Sequence, residues 1–231
     1  MTRSLSSRLQ TNAAISAAFV TLLIGASAPP ALAGNDVDPA KVRIGFDIAP
    51  VPLKLDNLKH ADRNLVGYGS YLVNAQVDCN GCHVSDPQFQ YAPGGSPYFS
   101  QTQRVNPDAY LKGGQSFGNL PAPGFAEIVS RNITPDKEGK PAGMTLAEFL
   151  RVIRTGVDLD KWHPTCTGAP NGHCVPAPFD GSLLQIMPWP TIQNMTETDL
   201  LAIYAYLSAI PCQEGDPGNP KGTDTKGTRC Q

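Results

Sequence analysis

Residues 79 to 83 read Cys-Asn-Gly-Cys-His, and this run constrains the chain more than any other. Two thiols separated by two residues can add to two vinyl groups on one edge of a macrocycle, while the imidazole that follows directly reaches a metal at its centre. That is the attachment pattern of a c-type haem, with Cys79 and Cys82 as the covalent links and His83 as one axial iron ligand. A C-x-x-C pair alone also serves dithiol redox chemistry or half of a zinc site. The adjoining His83 and the export features described below favour one covalently attached haem c. A chain that carries this group has to wrap a large apolar body, and 22 glycines and 22 prolines with only 16% charged residues describe a loop-rich protein suited to it.

Arg3 and Arg8 precede an apolar run from Ala13 to Ala28, and Ala31-Leu32-Ala33 then supplies a small-x-small site. This pattern predicts a secretory signal cleaved after Ala33. Ala26-Ser27-Ala28 also fits, but Pro29 follows it. The alternative is a retained anchor, for which the run is short of the ~20 residues a span needs. Export is expected to place the chain in the periplasm or a similar compartment, where haem attachment and disulfide formation are both possible. Taking the two signal arginines from the 18 basic residues leaves 16 against 20 acidic ones. That balance carries no nucleic-acid footprint, and membrane association is expected only through a partner.

The chain divides into the signal (1–33), an N-terminal extension (34–60), a haem-carrying domain (61–211) with an insertion at 160–185, and a polar C-terminal tail (212–231). The extension is rich in Pro, Gly and Asp and reads as a lead-in over the surface. Leu65, Tyr68 and Leu72 then fall at helical spacing with Gly67 and Gly69 between them, which predicts a short helix closely approached by another backbone. Val84 to Asp136 reads as loops with one or two short hairpins. Thr145 and Glu148 form a capping box that opens a helix with Leu146, Phe149, Leu150 and Ile153 on one face and Gly156 as its stop. Thr196 and Asp199 open another, with Leu200, Ile203, Tyr204 and Leu207 on one face and Pro211 ending it. Ala202, Ala205 and Ala209 leave a thin strip on this last helix, suited to a close crossing with the helix before Cys79.

A second axial ligand has to come from elsewhere in the chain. Beyond the signal the methionines are Met144, Met187 and Met195. Met144 and Met195 each precede a helix start and can pack on its first turn. Met187 lies in Gln185-Ile186-Met187-Pro188-Trp189-Pro190, where two prolines argue for a stiff extended segment without helix, and its thioether suits the sixth position. The alternatives are a gap-filling Met187, with His163, His173, Met195 or an open position on the iron. The remaining cysteines, Cys166, Cys174, Cys212 and Cys230, allow three pairings. Local pairing, Cys166 with Cys174 and Cys212 with Cys230, suits the sequence best. A metal site built from His163, Cys166, His173 and Cys174 is the rival.

The pattern Gly67-Tyr68-Gly69-Ser70-Tyr71-Leu72-Val73, Cys79 to His83, Leu111-Lys112-Gly113-Gly114 and Asn132-Ile133-Thr134-Pro135-Asp136 continues with Thr145 to Gly156, Met187-Pro188-Trp189, and Asp199 through Leu207. Together these resemble a single-haem class I cytochrome c domain of the kind found in the cytochrome c subunits of membrane-bound alcohol, aldehyde and gluconate dehydrogenases. The resemblance implies an all-α fold with long loops and a short hairpin, in which the helix before Cys79 crosses the last helix, and His83 and Met187 as axial ligands. It also implies that Asn132 lies near the haem and Arg131 near a propionate, where the residues alone suggest a solvated surface charge for Arg131. Those subunits commonly carry three haem motifs, whereas this chain has one, and the stretch from Trp162 to Leu184 has no counterpart in the pattern.

The function expected from this is single-electron transfer between protein redox partners, a dehydrogenase subunit or another cytochrome. No Ser/His/Asp set, phosphate loop or paired carboxylate suggests substrate chemistry of the chain's own. Two other readings stand beside it: a haem enzyme or redox or gas sensor with an open or displaceable sixth position, and a dedicated cytochrome subunit whose insertion and tail dock on a dehydrogenase.

Overall fold

A computed structural model describes residues 36–56, 58–215 and 230. The signal and its cleavage point after Ala33 lie outside the described residues. The first helix, α1 (Pro39–Ile48), starts where Asp38 accepts a hydrogen bond from the Ala40 N–H at 2.9 Å and Pro39 occupies the first turn. Both features fit a helix start, because an N-cap carboxylate satisfies a free amide and proline lacks only an amide that would be unpaired there. Val42 and Gly45 of α1 are buried. The lead-in expected to lie over the surface therefore contains a packed helix. The reason is Gly45: a Cβ there would stand 1.8 Å from the carbonyl oxygen of Gly67 in α2 (His60–Tyr71).

The two glycines of α2 serve different neighbours. A Cβ on Gly67 would stand 2.6 Å from Phe46 and 2.8 Å from Val42 of α1, whereas one on Gly69 would stand 1.9 Å from the Ala202 carbonyl oxygen. Ala202 belongs to the last helix, α6 (Glu197–Ala209), so the expected close crossing is there. Tyr68 reinforces it by donating to Asp199 at 2.7 Å. The main hydrophobic cluster forms around this crossing from Leu65, Val66 and Leu72, from Leu200, Ile203 and Leu207, and from Phe149 and Ile153. Each fully buried side chain of this size contributes about 1.5–3 kcal/mol.

A buried polar network runs through the same core. The Tyr110 hydroxyl donates to Asn74 Oδ1 at 2.6 Å and lies 2.8 Å from the Tyr206 hydroxyl. Asn74 donates to the Ser70 carbonyl at 2.9 Å, and Ser70 donates to the Gly45 carbonyl at 2.6 Å. Four stretches of chain are thereby joined by satisfied groups, as burial of polar atoms requires. Asn74 sits in a π-helical turn, Leu72–Gln76, that carries α2 into the single-turn helix α3 (Cys79–Cys82).

Beyond α3 come the 3₁₀ turns Pro87–Phe89 and Pro97–Phe99, then strands β1 (Ser116–Asn119) and β2 (Glu127–Val129). The strands pair antiparallel, Ser116 with Val129 and Asn119 with Glu127, with an irregularity between them. This is the expected hairpin. The all-α expectation is met only in part: the core is helical, but a two-stranded sheet and long loops make the fold mixed. Helix α4 (Leu146–Thr155) has its capping box of Thr145 and Glu148, and α6 has its own of Thr196 and Asp199. One short helix was not expected. α5 (Trp189–Ile192) begins directly after Pro188 and places Pro190 in its first turn, the position where a helix tolerates proline. Among the described residues no helix is long and apolar enough to cross a membrane.

Candidate functional site

The turn that carries Cys79 and Cys82 is set up by Asp78, which takes a left-handed conformation at φ 51° and accepts from the Gly81 N–H at 3.0 Å. A Cβ on Gly81 would stand 2.5 Å from the Asp78 carboxylate, so a side chain there would require that carboxylate to turn aside. Asn80 points inward, where its side-chain oxygen accepts from the buried Leu111 N–H at 3.0 Å. Gln115, with its amide nitrogen turned toward the motif, donates to the Gly81 and Cys82 carbonyls at 3.1 and 3.3 Å. The motif is thus held from behind by the loop after Tyr110.

Both thiols are free, and Cys79 is the more deeply placed of the two. Burial, then the nearby Asp78 carboxylate, pushes the Cys79 thiol up to about 12, and the same causes raise Cys82. A dithiol redox pair needs the opposite environment, one that lowers a thiol pKa. Among the described residues no three His, Cys, Asp or Glu side chains are grouped to hold a metal ion.

His83 is oriented by a backbone group. Its Nδ1 lies 2.7 Å from the Arg131 carbonyl oxygen. A carbonyl only accepts, so Nδ1 carries the proton and the Nε2 lone pair is left for a ligand. Burial holds the His83 pKa below its ordinary value, partly opposed by this hydrogen bond, which favours the neutral imidazole that metal ligation needs. Gly113 makes the approach possible: its N–H donates to the His83 carbonyl at 2.8 Å, and a Cβ on it would stand 2.3 Å from the Arg131 carbonyl carbon. Two free thiols two residues apart beside a neutral imidazole with its Nε2 available form a donor set that fits a covalently attached c-type haem.

Met187 lies on a half-buried segment that packs, like Cys79, against the main hydrophobic cluster. Met144 and Met195 also pack there. The Met187 segment is fixed by Trp189, whose indole N–H donates to the Leu184 carbonyl at 3.2 Å and whose ring covers Gly156 at the end of α4. His163 and His173 lie instead on the insertion, where His163 Nδ1 is 3.2 Å from the His173 carbonyl oxygen. Cys166 pairs with Cys174 and Cys212 with Cys230, the local pairing. With its two thiols joined, the rival metal site of His163, Cys166, His173 and Cys174 loses two of its four ligands.

Arg131 corrects the surface-charge expectation. Its guanidinium pairs with Asp158 at 2.7 Å and Asp160 at 3.0 Å, and lies 5.7 Å from the centre of the Trp162 ring. Asn132 is buried and accepts from the Thr134 N–H at 2.9 Å, so it shapes the turn that presents the Arg131 carbonyl. His83 and Arg131 both stand out in the sequence, but nothing in it links them directly. The link runs through a main-chain oxygen, and the only residue-type signal for it was Gly113.

No family model matches the chain. Over 149 residues it is 30% identical to the gluconate 2-dehydrogenase cytochrome c subunit of Pantoea cypripedii, covering 64% of this chain and 23% of that protein. Over 167 residues it is 23% identical to the cytochrome c subunit of the quinone alcohol dehydrogenase of Gluconobacter oxydans, 72% of this chain and 26% of that one. The chain is similar to cytochrome c subunits of dehydrogenases. A stretch of 96 residues is also 29% identical to one of the subunits of the nicotinate dehydrogenase of Pseudomonas putida, 41% of this chain and 6% of that protein. The chain therefore matches about a quarter or less of the length of these curated relatives.

Proposed function

We propose that this chain is an exported, periplasmic c-type cytochrome carrying one haem and passing single electrons. Cys79 and Cys82 would hold the group covalently, His83 would ligate the iron through Nε2, and Met187 would take the sixth position. The observation that carries this reading is the 2.7 Å contact of His83 Nδ1 with the Arg131 carbonyl beside two free thiols. Bound there, a haem supplies an iron that alternates between ferric and ferrous states. The chain's part is to exclude water with the core around α2 and α6, hold the imidazole in one tautomer, and keep the thioether on a segment braced by Trp189. A ligand pair of one imidazole and one thioether raises the potential relative to two nitrogen ligands. The names of the relatives support a dehydrogenase as the electron donor, with this chain as its cytochrome subunit.

The test uses the mature protein purified from its export compartment. A Soret band and the mass of one covalently bound haem are expected. Substituting Met187→Ala is expected to abolish the near-infrared sulfur-to-iron band and to allow carbon monoxide to bind the reduced protein. Prompt carbon monoxide binding to the unsubstituted protein favours the enzyme or sensor reading instead, and a protein without covalent haem overturns the proposal.

A further inference from the structure

We propose that Arg131 is a positioning residue whose side chain, clamped by Asp158, Asp160 and Trp162, fixes its own carbonyl against His83 and ties it to the segment that leads into Met187. The inference rests on the haem reading above and concerns how the two axial ligands are held in register.

The clamp is built from opposite ends of one residue. The Arg131 carbonyl accepts a hydrogen bond from the His83 Nδ1–H at 2.7 Å, and the guanidinium spans two carboxylates, Asp158 at 2.7 Å through Nη2 and Asp160 at 3.0 Å through Nη1. The Asp158 side chain is only 4% exposed. A carboxylate buried that far needs a partner, and Arg131 supplies the charge. The Asp160 N–H adds a hydrogen bond to the same Asp158 oxygen at 3.0 Å. A planar fork with separate N–H groups can hold two carboxylates at once, which the point charge of a lysine cannot reproduce.

Asp158 also belongs to the base of the insertion. Its N–H donates to the Ser182 carbonyl at 2.8 Å, Val157 bridges Leu183, and the Leu184 N–H donates to the Gly156 carbonyl at 2.7 Å. From Leu184 the chain runs directly to Met187, with Trp189 closing back on Leu184 and Gly156. Short contacts therefore join His83, the Arg131 carbonyl and, through the Arg131 side chain, Asp158 and the Ser182–Leu184 edge, from which the chain itself leads to Met187. Hydrogen bonding to the second nitrogen of a ligating imidazole sets its orientation and basicity. Loosening Arg131 is accordingly expected to alter both sides of the iron.

The experiment compares the haem-loaded protein with its Arg131→Met, Arg131→Lys, Asp160→Asn and Trp162→Leu variants. The readouts are a redox titration, the sulfur-to-iron band, and the exchange rate of the His83 ring N–H by nuclear magnetic resonance. Arg131→Met is expected to shift the ferric/ferrous equilibrium about tenfold, ~59 mV for one electron. It should also speed ring N–H exchange at least tenfold and weaken the band. Arg131→Lys should recover part of each change, and Asp160→Asn and Trp162→Leu should shift the equilibrium about threefold while leaving the fold intact. If Arg131→Met does not fold, the Asp160→Asn and Trp162→Leu shifts decide the matter. A normal band in the unsubstituted protein with unchanged potential and exchange in the variants overturns the clamp alone. An unsubstituted protein lacking covalent haem overturns the haem reading and the clamp with it.

Discussion

Gly113 occupies a place where no side chain fits, and the consequence is measurable. Its φ of +67° is in the left-handed region, and a Cβ would meet the Arg131 carbonyl carbon and oxygen at 2.3 and 2.4 Å. The conformation alone costs a non-glycine residue about 1–2 kcal/mol, and overlap with main chain that cannot rotate away adds ~1–3 kcal/mol. Gly118 makes the comparison possible, since it has a φ of +77° but nothing within 4 Å of a Cβ. Gly113→Ala is therefore expected to lower the urea midpoint more than Gly118→Ala, by a difference worth about 1–3 kcal/mol. Equal losses at the two positions would show that the Arg131 carbonyl can move aside freely. Asn80 has the complementary role on the other side of the motif, where its side-chain oxygen satisfies the buried Leu111 N–H. Neither residue carries redox chemistry, yet together they hold the loop that presents the Arg131 carbonyl to His83.

At the level of helices, the crossing of α2 and α6 decides whether the motif is supported at all. Gly69→Ala gains up to ~1 kcal/mol of helix propensity, but the new Cβ would stand 1.9 Å from the Ala202 carbonyl oxygen and 2.8 Å from Tyr206 Cβ. Because both obstacles are close to the main chain, the clash wins. A loss at or above the upper end of the ~1–3 kcal/mol range for overpacking is expected from denaturant unfolding. A more stable variant would mean that the helices lie further apart. Tyr68 tests the same crossing through pH. Burial, then its hydrogen bond to Asp199, raises the Tyr68 pKa to about 12 from 10.0. The folded chain thus holds this proton more tightly than the unfolded chain. Its contribution is fully present below pH 10, and it is lost as pH rises through about 12. Tyr68→Phe is expected to flatten the fall of stability across that window, as followed by circular dichroism, and an unchanged alkaline limb would remove Tyr68 from the account.

These helices also show what the sequence makes legible. Thr145 with Glu148 and Thr196 with Asp199 announce α4 and α6, because capping chemistry is local and written in residue types. The close approach at Gly69 could be inferred from its missing side chain, but nothing in the pattern said that Gly67 faces a different helix. Helix α1 carried a start signal in Asp38 and Pro39, masked by the glycine and proline content around it. The Arg131 carbonyl was out of reach because every residue has one, and only the fold selects which carbonyl meets an imidazole.

Across the whole molecule, the described residues form a main core around α2 and α6 and a smaller cluster of Ala126, Ile128 and Val175. The smaller cluster joins β2 to the insertion, with the Ala126 N–H donating to the Cys174 carbonyl at 2.9 Å and the Gly172 N–H to the Gly124 carbonyl at 2.8 Å. Arg131 follows β2 by two residues and pairs with Asp158, so the insertion is fastened to the loop that orients His83 at two points. The Cys166–Cys174 bridge closes a loop with a sequence separation of 8 inside this unit. In the chain-entropy account, a loop of that size contributes about 2.5 kcal/mol. Because the insertion packs on its own small cluster, the loss from a Cys166→Ser/Cys174→Ser variant is expected to fall there first. Amide exchange at Cys166 and Val175, whose N–H groups donate to the Val175 and Pro164 carbonyls, should rise by about that free energy, while amides in α2 and α6 keep their protection. An equal rise in α2 and α6 would instead mean that the insertion and the main core unfold as one cooperative unit. The contacts through Arg131 would then transmit stability as well as position.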